Sequence, residues 1–127
     1  MGRTIISEDG NYEWDEDKNL QNRKKHGFSF DEILEVFDDP SFLEGYDWEH
    51  SEEEDRYYGI GCLNNILYIT VFYTYRKKSK PKEMGDGFSV NEAEPSYIHD
   101  RRRIFSARRS DKEEQEKYND YFKKIKS

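Results

Sequence analysis

Lys18, Lys25, His26, Arg56, Arg76, Arg103, Arg108 and Arg109 are the side chains of this sequence with the most chemistry to offer. Arginine keeps its charge and holds anionic oxygens through two N–H groups at once, lysine adds a point charge, and histidine titrates near neutral pH. On an antiparallel sheet several of them could converge on one concave face. His26 could titrate near neutral pH, and Lys25 only if neighbouring cations or burial lowered its pKa. The same residues would equally serve as solvated ends of helices and strands, and a His at a helix C-terminus can simply interact with the dipole.

Other chemistries find less support. His26, His50 and His99 lie far apart with no paired spacing, and Cys62 is the only cysteine, so neither a metal-ligand motif nor a disulfide is present in the sequence. Cys62 reads as a buried structural thiol. No glycine-rich phosphate loop and no GxSxG elbow occurs, and Gly59-Ile60-Gly61 sits inside a strand pattern, marking a bulge or a close backbone approach.

The elements that would carry these residues are marked locally. Tyr12-Glu13-Trp14 reads as a short strand, and Asp15 caps a helix running to about His26, stopped by Gly27. That helix places Lys18, Asn22 and Lys25 on one face. Ser29 and Glu32 form a capping box for a second helix, with Phe28 and Ile33 as its staple. Phe30, Ile33, Leu34 and Phe37 give that helix an apolar stripe, and Asp38-Asp39-Pro40 ends it. Three strands are expected over Phe42 to Asp47, Arg56 to Leu63 and Ile66 to Tyr75, the last two joined by a tight turn at Asn64-Asn65. His50-Ser51 reads as a turn. Lys77 to Asp100 carries Pro81, Gly85, Gly87 and Pro95 and breaks the pattern; beyond it, Arg101 to Ala107 reads as a strand and Asp111 caps a polar helix to about Lys124.

These elements predict an α+β fold, an antiparallel β-sheet with two N-terminal helices packed on one side and a C-terminal helix. A chain of 127 residues suits one domain, here 1–127 with an insertion at about 77–100. No apolar run approaches the length of a membrane span and no signal peptide opens the chain, so a soluble, cytoplasmic protein is expected. The net charge of -7 hides an asymmetry: Asp31 to Asp55 holds twelve acidic residues and no Lys or Arg, while Arg76 to Lys82 and Arg101 to Arg109 hold five basic residues each. The acidic stretch is unsuited to a nucleic acid and is expected to face solvent or a basic partner.

Trp14-Asp15, Lys18, Asn22, Lys25-His26-Gly27, Ser29-Phe30, Val36-Phe37, Asp39-Pro40, His50-Ser51, Asp55-Arg56, Thr74 with Arg76, and Arg103 through Arg109 together resemble the BrnT toxin family, over about residues 12–76 and 101–120. The sequence departs from the family where Lys77 to Asp100 replace a short turn, and at Tyr75, where an acidic residue is common. The resemblance implies a RelE-like fold and a type II toxin that cleaves RNA and arrests translation without a metal or cofactor. It also implies neutralisation by a BrnA-type ribbon-helix-helix antitoxin, with operator DNA bound only by the toxin-antitoxin complex. On this reading His26, Lys25, Arg56, Arg76, Arg103 and Arg108 are the catalytic candidates. Lys18, Asn22, Arg109 and Tyr73 would bind substrate, although Lys18 and Asn22 could instead fix the first helix to the sheet, and Tyr73 or Tyr57 could pack in the core instead of stacking on a base. Two other classes stay open: an inactive co-repressor of the same fold, and a metal-dependent nuclease using the acidic run.

Overall fold

The computed structural model describes residues 2–77 and 100–126. Asp15 and Gly27 bound the first helix as the sequence predicts. Asp15 takes the N–H of Asp17 on its side chain at 2.9 Å, and Gly27 adopts φ 87°, a left-handed conformation that glycine enters without steric cost. Between them runs α1, Glu16–His26, preceded by the strands β1, Thr4–Ile6, and β2, Tyr12–Asp15. The three-residue β1 was not among the expected elements. Ser7 and Asp9 fold the chain back from it, the Asp9 carboxylate accepting from Ser7 Oγ and from the N–H of Asn11.

The second helix is a 3-10 helix, Phe30–Asp38. Its three-residue period aligns Phe30, Ile33 and Val36, all fully buried, and leaves Leu34 only partly covered. The α-helical stripe read from the sequence therefore misses Val36. Glu32 closes back on the N–H of Ser29 at 3.0 Å, as the capping pattern requires.

Next come β3, Leu43–Tyr46, a single turn at Trp48–His50, β4, Tyr57–Leu63, β5, Leu67–Arg76, β6, Arg101–Arg109, and α2, Lys112–Lys126. Asn64 and Asn65 both take positive φ, 56° and 61°, in the turn joining β4 to β5. The expected insertion at 77–100 falls almost wholly outside the described residues, as does His99.

The six strands are ordered β1-β2-β6-β5-β4-β3. All neighbours are antiparallel except β2 and β6, which run parallel through Tyr12↔Arg102 and Trp14↔Ile104. The expected all-antiparallel sheet is corrected to a mixed one, because β6, the antiparallel neighbour of β5, runs in the same direction as β2 on its other side.

One face of this sheet carries Tyr12, Trp14, Ile69, Val71, Tyr73, Ile104 and Ala107, and α1 and the 3-10 helix close over it. Gly59 and Gly61 of β4 sit on this face, and a Cβ on either would collide with Phe42 or Val36. Their lack of side chains is what lets the 3-10 helix approach. β6 keeps Ile104 and Ala107 both inward through a bulge: Tyr73 pairs Ile104 while Phe72 pairs Ser106, leaving Phe105 as the extra residue.

The C-terminal helix packs on the opposite face. Tyr118 of α2 meets Tyr68 edge to face at 5.4 Å, Lys117 lies over the Tyr58 ring, and the Tyr118 hydroxyl donates to Asp39 at 2.6 Å. Asp111 and Glu114 cap the helix reciprocally, each accepting the other's N–H at 2.8 Å.

Candidate active site

The face turned away from the main core gathers Arg56, Arg76, Arg101, Arg103 and Arg108, while Arg102 and Arg109 of β6 fall on the core side. Strand alternation places Tyr68, Thr70, Phe72, Thr74 and Arg76 of β5 there, and the pairing partners follow. Arg76 stands opposite Arg101, Thr74 opposite Arg103, and Thr70 opposite Arg108. Arg56, one residue before β4, extends the Tyr57↔Tyr73 register to lie beside Thr74. Arg56, Thr74 and Arg103 thus form one row across three strands, with Arg76 and Arg101 the next row toward the open end.

Carboxylates hold these guanidinium groups in place. Glu13 of β2, side chain only 10% exposed, reaches both Arg101 and Arg103, and Glu54 reaches both Arg56 and Arg76. The Arg56 guanidinium also lies 4.2 Å over the Phe105 ring, the residue that the bulge turns outward. Glu13 and Glu54 were not singled out in the sequence; Glu13 follows from the β2 to β6 pairing, which no local pattern announces.

Arg108 is held two rows further on. Its fork bonds both oxygens of Glu114 at 2.8 and 2.9 Å, and Glu114 also accepts from Thr70. Burial works against the Glu114 charge, but Arg108, the Asp111 N–H and Thr70 outweigh it and hold the carboxyl below its usual range. α2 therefore covers the Arg108 end of the face.

His26, at the end of α1, has a pKa below the ordinary imidazole value, first through burial and then through the charges of Lys25 and Arg108. At pH 6.5, where a free imidazole is half protonated, His26 is mainly neutral. An NMR titration should place its midpoint below 6.5, and Arg108→Ala should move it upward; a midpoint above 6.5 in the wild type would contradict this electrostatic picture.

The remaining expected residues do not join the row. Asn22 is buried, its amide donating to the carbonyls of Phe28 and Ala107 and its oxygen accepting the Ala107 N–H. Of its two expected roles the structure shows the fixing one, pinning α1 to β6. Lys18 and Lys25 lie exposed on α1 beside the buried pair Asn19 and Asn22, against the other face of the sheet. Arg109 is exposed at the end of β6, on the register of Ile69. Tyr73 is fully buried and its hydroxyl donates to Glu44, so it packs the core and offers no ring to a base. Tyr57 packs against it with centroids 6.2 Å apart. Cys62 is half-buried with its thiol pKa raised by burial, as a structural thiol should be.

Within the described residues no group of three or more His, Cys, Asp and Glu is placed to hold a metal ion, and no helix is long and apolar enough to cross a membrane. A mixed sheet with one face lined by carboxylate-held arginines defines a small α+β protein. Residues 14–83, more than half of the chain, match the family model described as the ribonuclease toxin BrnT of type II toxin-antitoxin systems, and the chain belongs to that family. Among curated proteins none matches it.

Proposed function

We propose that this chain is a single toxin domain of RelE-like fold, with an insertion at about 77–100, which cleaves RNA in the cytoplasm without a metal and so arrests translation. The observation that carries the reading is the row Arg56, Thr74 and Arg103, flanked by Arg76 and Arg101. Cleavage by the neighbouring 2′-hydroxyl adds negative charge to the phosphate in the transition state, and rigidly held guanidinium groups stabilise that charge with little reorganisation. The carboxylates of this face, Glu13, Glu54 and Glu114, already hold arginines, which leaves them poorly suited to be cation ligands.

The antitoxin that the family requires is proposed to be a BrnA-type ribbon-helix-helix protein, operator DNA being bound only by the pair. Purified, partner-free toxin incubated with RNA in EDTA is the test. Cleavage that persists supports the reading, cleavage abolished by EDTA and restored by a divalent ion overturns metal independence, and no cleavage in either condition favours an inactive co-repressor.

A further inference from the structure

The arginine row extends one strand further than the arginines do. The N–H of Asp47 donates to the carbonyl of Arg56 at 2.9 Å, continuing the Tyr46↔Tyr57 ladder by one pair. Directly paired residues of antiparallel strands project to the same side, so Asp47 stands next to Arg56 on the arginine face. Asp47 and Arg56, each one residue beyond its strand, continue with Thr74, Arg103 and Glu13 of β5, β6 and β2 as one line across the sheet.

Asp47 carries a histidine. Both its carboxylate oxygens lie within hydrogen-bond reach of His50 Nδ1, at 3.1 and 3.0 Å, and the carboxylate is mostly covered while the imidazole is 62% exposed. An ionised carboxylate only accepts, so Nδ1 bears the hydrogen, which leaves Nε2 as the nitrogen able to exchange a proton. Ser51 locks the turn, its hydroxyl donating to the Asp47 carbonyl at 2.7 Å and accepting the Arg56 N–H at 2.9 Å. A histidine oriented by a carboxylate that itself stands next to Arg56 is the arrangement proton transfer needs.

We propose that His50, oriented by Asp47, is the proton-transfer residue of this site, taking the 2′-hydroxyl proton of a nucleotide whose phosphate lies against Arg56 and Arg103. The proposal rests on the ribonuclease reading above. The 2′-oxygen bonds to phosphorus as its proton passes to Nε2, the bond from phosphorus to the 5′-oxygen breaks, and the leaving oxygen takes a proton from water. The products are a 2′,3′-cyclic phosphate and a 5′-hydroxyl, and Nε2 returns its proton to solvent. The positive imidazolium formed on the way is stabilised by Asp47. Around the turn in sequence stand the charged groups Glu49, Glu52, Glu53, Glu54, Asp55 and Arg56.

The test is single-turnover cleavage of a labelled RNA by the purified full-length protein, from acidic to basic pH, with RNA affinity and thermal melting measured alongside. His50→Gln should lower the rate by about 10²-fold or more and flatten the acidic limb of the profile, with affinity and melting unchanged. Asp47→Asn should lower the rate with affinity kept, and added imidazole should restore part of the activity of His50→Ala. Wild-type rate and profile in His50→Gln, while Arg103→Ala is impaired, would overturn the proposal and leave the ribonuclease reading standing. A wild type that cuts no RNA would overturn both.

Discussion

Arg103→Ala is expected to lower the single-turnover rate of RNA cleavage by about 10²-fold or more, the scale seen when one preorganised donor to a developing anion is removed. Arg103 stands mid-row, beside Thr74, its guanidinium held by Glu13 and its side chain 21% exposed, enough for a ligand to meet. The fold should survive, because Glu13 keeps Arg101 as its partner. Arg103→Lys preserves charge but not the bidentate fork, so it should recover only part of the loss. Rates and melting curves of both variants check this. A folded Arg103→Ala with the wild-type rate would remove Arg103 from the machinery.

Phe30→Ala is expected to destabilise the protein by about 3–5 kcal/mol, the range for truncating a fully buried aromatic. Phe30 opens the 3-10 helix, is fully buried, and meets Trp14 edge to face with centroids 6.0 Å apart. Its N–H also donates to the buried Asn19 oxygen at 2.7 Å, so the residue joins α1, β2 and the 3-10 helix at one point. Against a total stability of about 5–15 kcal/mol such a loss is a large share. Urea unfolding measures it, and a cost below about 1 kcal/mol would mean that the core relaxes around the vacated volume.

The sequence announces most elements because their ends are set by neighbours within a few residues. Asp15, Gly27, the Asn64-Asn65 turn and the Asp111 cap all act over one turn of chain, and each lies where local chemistry puts it. The 3-10 period escaped because Phe30, Ile33, Leu34 and Phe37 fit an α-helical stripe; only close approach over Gly59 and Gly61 decides for Val36 instead of Leu34. The parallel pairing of β2 with β6 joins residues some ninety positions apart and leaves no local trace.

The site was legible as residue types and not as a surface. Arg56, Arg76, Arg103 and Arg108 do share a face, but the face exists only once the strand register is known. Tyr73 stays open in the sequence between core and substrate because an aromatic ring in a central strand reads the same whether it looks toward the core or away from it; the structure puts it in the core. His50 reads in the sequence as part of a turn, and it is one. The available signal was the three-residue spacing from Asp47, which on a single helical turn brings the two side chains together.

The bulge at Phe105 fixes the length of β6 more strictly than its composition. With the extra residue present, Arg103 and Arg101 point outward although Ile104 and Ala107, three positions apart, both point inward. Most substitutions along the strand change one side chain. Loss of a single residue there would exchange the two faces of whichever half moved, turning arginines into the core or Ala107 out of it. The gene can therefore drift in letters through this stretch far more easily than in reading length, and sequences that share this arginine face should share the count of residues between Arg101 and Arg108.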